Sequence, residues 1–155
     1  MKQRESTVTV LRRLLLGLLL FGLTGTATEL LLISHDEDIW QMIPIVAIAL
    51  AALAGLGLAA TSRATPPAGL LRLFQVMMVL LILNGGAGMV LHYRANMEFK
   101  LEMDPTLSGT ALFWSVVRAK TPPALAPATL ALLGLLGLTY AFRRRDDPPS
   151  VNRQL

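Results

Sequence analysis

An all-α integral membrane protein is the architecture these residues dictate. The expected form is a bundle of four transmembrane helices, with a short extended segment and an amphipathic interfacial helix in one long outer loop. Three features say so. Apolar residues make up 54% of the 155 positions, and mean hydropathy is +0.57. Charged residues are 15%, against about 25% in a typical soluble domain. The apolar residues gather into four runs, 14–33, 39–60, 73–91 and 123–142, each about 20 residues long. At about 1.5 Å of rise per residue, such a run matches a hydrocarbon core of about 30 Å. In hydrocarbon every backbone N–H and C=O must be satisfied within its own segment, so each run is read as a helix. Barrel strands alternate and are about 10 residues long, and these runs do neither. The whole chain is read as one membrane domain, with helices at about 9–33, 39–60, 69–93 and 123–143, an outer loop at 94–122 and a tail at 144–155.

The first run carries one charge, Glu29. Its basic start and the small residues at 24–27 imitate a secretory leader. The apolar run resumes at 30–33, so it is expected to be a retained first helix. The second run is uncharged, and Asp36 or Asp38 can cap it, since carboxylates are favoured at a helix N-terminus. Pro44 stands early enough in that helix to be tolerated. Pro66 and Pro67 break the chain before the third run. Thr121, Pro122 and Pro123 open the fourth. Arg143, Arg144 and Arg145 close it, where cations suit the helix dipole, and Pro148 and Pro149 bar continuation. Trp40, Tyr93, Trp114 and Tyr140 fall at the expected interfaces, as in an aromatic belt.

Orientation follows from the Lys and Arg distribution. Lys2, Arg4, Arg12, Arg13, Arg63, Arg72, Arg143, Arg144, Arg145 and Arg153 lie on one side, and Arg94, Lys100, Arg118 and Lys120 on the other. The positive-inside rule puts both termini in the cytoplasm. The sequence pI of about 10.1 reflects this asymmetry. It suits anionic lipid headgroups, and no nucleic-acid partner is expected. Compact loops and the lack of a targeting signal suggest a bacterial cytoplasmic (inner) membrane.

The outer loop has two parts. At 96–103 the apolar Met97, Phe99, Leu101 and Met103 alternate with Glu98, Lys100 and Glu102. Alternation is the period of a half-buried strand, so this segment is expected to be extended. The competing reading is a continuation of helix three, with Glu98 and Glu102 one turn apart. Asp104 and Pro105 then resemble an N-cap with a first-turn proline. From 108 to 120, Leu112, Phe113, Trp114, Val116 and Val117 share one helical arc, as in a helix lying in the headgroup plane. Met97, Phe99, Leu101, Phe113, Trp114 and Val117 are the expected partner-facing residues.

Glu29 is the one formal charge well inside an apolar run, and a carboxylate there is costly without a partner. Gly22 and Gly25 precede it on the same face. On helix three, Asn84, Gly88 and His92 recur every fourth residue. Helices one and three are therefore expected to pack through these stripes, forming a buried polar network of Glu29, Asn84, His92 and Arg94. The two histidines, His35 and His92, lie at the outer face beside several carboxylates. A metal site from His35, Asp36, Asp38, His92 and Glu98 is one reading, and a haem or chlorin held by His35 and His92 is a second. No HxxxH or ExxH pair supports either, so no cofactor is expected, with a metal ion or tetrapyrrole as the alternative. A proton or cation pathway through Glu29 is a third reading. The plain alternative assigns the acids at 36–38 to capping, leaves His35 as a turn residue, and has His92 and Arg94 neutralise Glu29.

The chain has no cysteine, which excludes disulfides and thiol chemistry. GxSxG, P-loop, HExxH and dinucleotide motifs are absent, so the chain is not read as an enzyme. Gly85, Gly86 and Gly88 sit at mid-membrane and read as helix packing. The leading functional expectation is a non-catalytic accessory, assembly or scaffold subunit of a larger membrane complex, with the bilayer and other membrane subunits as partners. A metal- or tetrapyrrole-binding membrane protein is the first alternative, and a small proton-coupled transporter using Glu29 the second.

Overall fold

The computed structural model describes residues 7–34, 37–61, 66–119 and 125–142. Five helices follow in order: α1 (Thr7–Leu32), α2 (Ile39–Ala60), α3 (Ala68–Met103), α4 (Gly109–Val117) and α5 (Leu125–Ala141). Three of them, α1, α2 and α3, are long and apolar enough to cross a membrane. The described part of α5 is 17 residues. His35, Asp36, Lys120, the prolines at 122 and 123, and everything from Arg143 onward lie outside the described residues.

Local chemistry sets the boundaries. α1 stops where Ser34 turns into the left-handed region at φ 55°. Asp38 caps α2: its carboxylate accepts the Gln41 N–H at 2.9 Å, while the Gln41 side chain accepts the Glu37 N–H at 3.1 Å. That reciprocal pair satisfies two amides that α2 itself cannot. Pro44 lies within α2, and its missing N–H leaves the Trp40 carbonyl without the usual partner four residues on. Inside the apolar helices, hydroxyls are returned to their own backbone. Thr24 and Thr28 donate to the carbonyls of Leu20 and Thr24, and Thr139 donates to Leu135, each at 2.9 Å.

The contacts close a ring. α1 packs on α2 and α5, and α3 packs on α2 and α5, so α1 and α3 face each other across the diagonal. The core lies inside the ring. α1 contributes Leu16, Leu19, Leu23 and Leu30, and α2 contributes Ile48, Ala51, Ala54 and Leu58. α3 gives Leu71, Phe74, Met78 and Leu81, and α5 gives Leu130, Leu133, Tyr140 and Ala141. Most of these recur at three- or four-residue steps, one helical face each. No polar or charged residue is buried among the described residues. The outside is as apolar as the inside: Phe21 and Leu32 are 79% exposed, and Ile39 76%.

Helices one and three do not pack on each other, contrary to the sequence-based expectation. Gly22 faces Leu133 of α5, and Gly25 has nothing within 4 Å of a built Cβ. The close approach is between α3 and α5. A Cβ on Gly85 would stand 2.5 Å from the Pro127 carbonyl oxygen, and one on Gly134 would stand 2.5 Å from that of Met78. Small residues let helix backbones meet in this way. Tyr140 is a second correction. It is 2% exposed and stands edge-on to Phe74, with ring centroids 5.6 Å apart, so it belongs to the core and not to an interfacial belt. The Arg12 guanidinium donates to the Phe142 carbonyl at 3.4 Å, joining the start of α1 to the end of α5.

The third correction concerns 96–103. This segment is helical, the last two turns of a 36-residue α3, and no strand occurs among the described residues. Extending an existing helix adds one hydrogen bond per residue and needs no new nucleus. A lone strand would have no partner. The alternation resolves into two helical faces. Met97 and Leu101 are half-buried, and Phe99 and Met103 are exposed.

Gly85→Ala and Gly134→Ala are each expected to destabilise the protein by about 1–3 kcal/mol, because the added methyl meets backbone. Gly25→Ala should be neutral or stabilise by up to about 1 kcal/mol through helix propensity. Unfolding in detergent micelles, followed by circular dichroism, separates these outcomes. Equal effects at all three positions would contradict the α3–α5 contact.

Candidate functional site

Two features stand out from the apolar framework. The first is a cavity of about 120 Å³ where four helices converge. α1 supplies Thr26, Glu29 and Leu30 near its C-terminus, and Ile33 follows just past it. α2 supplies Pro44, α3 supplies Asn84, Gly88 and His92, and α5 supplies Pro127, Thr129 and Leu130. The α3–α5 approach positions this wall, since a Cβ on Gly88 would lie 3.1 Å from the Pro127 ring. A separate groove of about 310 Å³, lined by α2 and α3 residues such as Met42, Val46, Leu50 and Met77, is hydrocarbon in character. Its chemistry matches the rest of the apolar exterior.

Three of the four residues expected to form a polar network, Glu29, Asn84 and His92, share the cavity wall. Their arrangement differs from the expectation. Glu29 and His92 are exposed and Asn84 is half-buried, so the group is open and not enclosed. No hydrogen bond or ion pair joins the Glu29 carboxylate to another described residue. Arg94 is exposed and is not part of the wall. Pro44, Pro127, Thr26, Thr129 and Leu130 were not anticipated. The prolines could have been noticed as interruptions in apolar runs, but their convergence depends on which helices are neighbours.

Of the residues proposed for metal binding, the described ones do not form a cluster. Asp38 is committed to capping α2. Glu98 is exposed on the α3 extension. His35 and Asp36 lie outside the described residues. No group of three His, Asp or Glu gathers around a common point among the described residues.

The second feature is the hairpin of α3 and α4. α3 outruns a bilayer: 36 residues at about 1.5 Å each give roughly 54 Å. α4 packs back on α3, with Val116 fully buried. Tyr93 meets Phe113 at 6.2 Å between centroids, and Phe113 meets Trp114 at 5.3 Å. The Arg118 guanidinium lies 5.1 Å from the Trp114 ring centre, a cation–π contact. Phe99, Met103, Phe113 and Trp114 remain 46–72% exposed, while Met97, Leu101 and Val117 are half-buried. Asp104 does not start α4, as its sequence context suggested. It is the C-cap of α3, and Ser108 is the N-cap of α4. The Asp104 carboxylate accepts the Thr106 hydroxyl at 2.6 Å and the Thr106 N–H at 3.0 Å. The hydroxyl bond first, then the backbone bond, hold its carboxyl below the usual 3.8.

Comparison with known proteins gave no match. No family model, curated protein or solved structure resembles the chain. The reading of function therefore rests on residues and geometry.

A depressed carboxyl pKa stabilises the folded turn above the unfolded value, and that contribution is lost as pH falls through the lower folded value. The α3–α4 turn is thus expected to loosen below about pH 4. Asp104→Ala should loosen it at neutral pH, which amide hydrogen exchange at 104–108 would report. Unchanged protection in that variant would show that the Thr106 bonds do not hold the turn.

Proposed function

We propose that this chain is a polytopic protein of a bacterial cytoplasmic membrane, serving as a non-catalytic accessory or assembly subunit of a larger membrane complex. α1, α2 and α3 would be three spans. α5, with the apolar residues that precede it, would be the fourth. Both termini would face the cytoplasm, because the larger share of Lys and Arg lies at that end.

The observation that supports this reading is the surface. The flanks of the helices are apolar, as lipid contact requires. α3 is roughly 24 Å longer than the hydrocarbon core, and about 18 Å of that, residues 92–103, lies past the apolar run at the outer end. There it carries exposed Phe99 and Met103, and α4, packed on α3, carries exposed Phe113 and Trp114. Exposed apolar side chains outside the bilayer, interspersed with Glu98, Glu102 and Arg118, are what an outward-facing segment of another membrane protein would cover.

In mild detergent the tagged protein is expected to migrate on native gels in a complex well above its own 16.8 kDa and bound detergent. Phe99→Asp combined with Trp114→Ala should release it to a faster-migrating form. A substitution on the lipid-facing flank, Leu18→Val, should leave the complex intact. Migration as a lone monomer, or as a complex of this chain alone that ignores the hairpin substitutions, would refute the proposal.

A further inference from the structure

The cavity among α1, α2, α3 and α5 is chemically lopsided. Among the described residues Glu29 is the one carboxylate on its wall, and that carboxylate makes no ion pair or hydrogen bond with another of them. Asn84, half-buried on α3, likewise makes no side-chain hydrogen bond to a described residue. His92 is the other titratable group on the wall. α2 and α5 contribute Pro44, Pro127, Thr129 and Leu130, none of them charged. The remaining lining is Leu30, Ile33, Gly88 and Thr26.

A carboxylate set against hydrocarbon is costly until a cation or a proton joins it. A divalent metal prefers six or more oxygen ligands or a gathered set of His and acid groups, and the described residues of this wall gather no such set. A tetrapyrrole is far larger than about 120 Å³. That volume suits a ligand displacing about four waters, at roughly 30 Å³ of liquid per water. A primary ammonium group matches the polar side. It has three donors for the Glu29 carboxylate and the Asn84 amide oxygen. A short alkyl body matches the proline rings and the leucines. Glu29 is exposed, so a ligand can reach it.

We propose that this cavity binds a small primary alkylammonium ion, paired to Glu29 and hydrogen-bonded to Asn84. Such binding is independent of any partner on the hairpin, and its readout differs from complex migration.

The test uses the full chain in nanodiscs of zwitterionic lipid, titrated with propylammonium chloride against sodium chloride at equal ionic strength. A saturable rise in unfolding midpoint is expected with propylammonium and not with sodium. Glu29→Gln should weaken apparent binding roughly tenfold or more, and Asn84→Leu several-fold, since a charge-assisted bond outweighs a neutral one. A response of equal size from sodium, no saturable response, or one that survives Glu29→Gln would overturn the proposal. If Glu29→Gln fails to fold, the wild-type protein decides. Magnetisation transfer between the ¹³C-labelled Glu29 carboxyl and ¹⁵N-propylammonium is expected in solid-state NMR, and its absence overturns the assignment.

Discussion

Glycine at two positions decides how closely α3 and α5 can approach, and the remaining helices are arranged around that approach. In a molecule whose exterior is as apolar as its core, moving a leucine from outside to inside gains little when the solvent is lipid. Association then depends on packing and on close backbone contact. Gly85 and Gly134 supply it: each lies against a carbonyl of the opposite helix, leaving no room for a side chain. Once α3 and α5 are joined, α1 and α2 close the ring, and the core forms from leucines, alanines, Phe74 and Met78. The same contact sets Pro127 against Gly88 and so fixes one wall of the cavity.

Much of this was legible in the residues. Long apolar runs with at most one charge pointed to α1, α2 and the first two-thirds of α3, because hydrocarbon-length apolar stretches have few other uses. Asp38 was one of two candidate caps for α2, and the capping bond with Gln41 settles which. Gly85 and Gly88 were correctly read as packing positions, since they stood at mid-run with no phosphate-binding context, whereas Gly86 has nothing within 4 Å of a built Cβ. The neighbours of those glycines were not legible. Spacing tells which residues share a face but not which helix lies opposite, so the Gly88 stripe was assigned to α1 when its neighbour is α5.

The segment 96–103 failed for a different reason. A short alternating stretch is compatible with a strand and also with a helix that hides one pair and shows the other. Met97 with Leu101, and Phe99 with Met103, are such pairs. The decision belongs to context: α3 already existed and could be extended, whereas a strand had nothing to join. Tyr140 shows the same limit. Aromatic residues near a run's end suit an interface, yet Phe74 on a neighbouring helix offered it an edge-on contact inside. The site was half legible. Glu29, Asn84 and His92 were singled out by rarity in apolar surroundings, while the prolines and threonines around them carried no such contrast.

The unbroken length of α3 has a mechanical consequence. Because a single helix runs from Ala68 to Met103, a tilt where it touches α5 is carried to its C-terminal end. Met103 lies about 27 Å beyond Gly85 at about 1.5 Å per residue, so a tilt of roughly ten degrees there sweeps the tip through about 5 Å. The molecule thus contains a lever whose fulcrum is the pair of glycines, with α4 riding on the long arm.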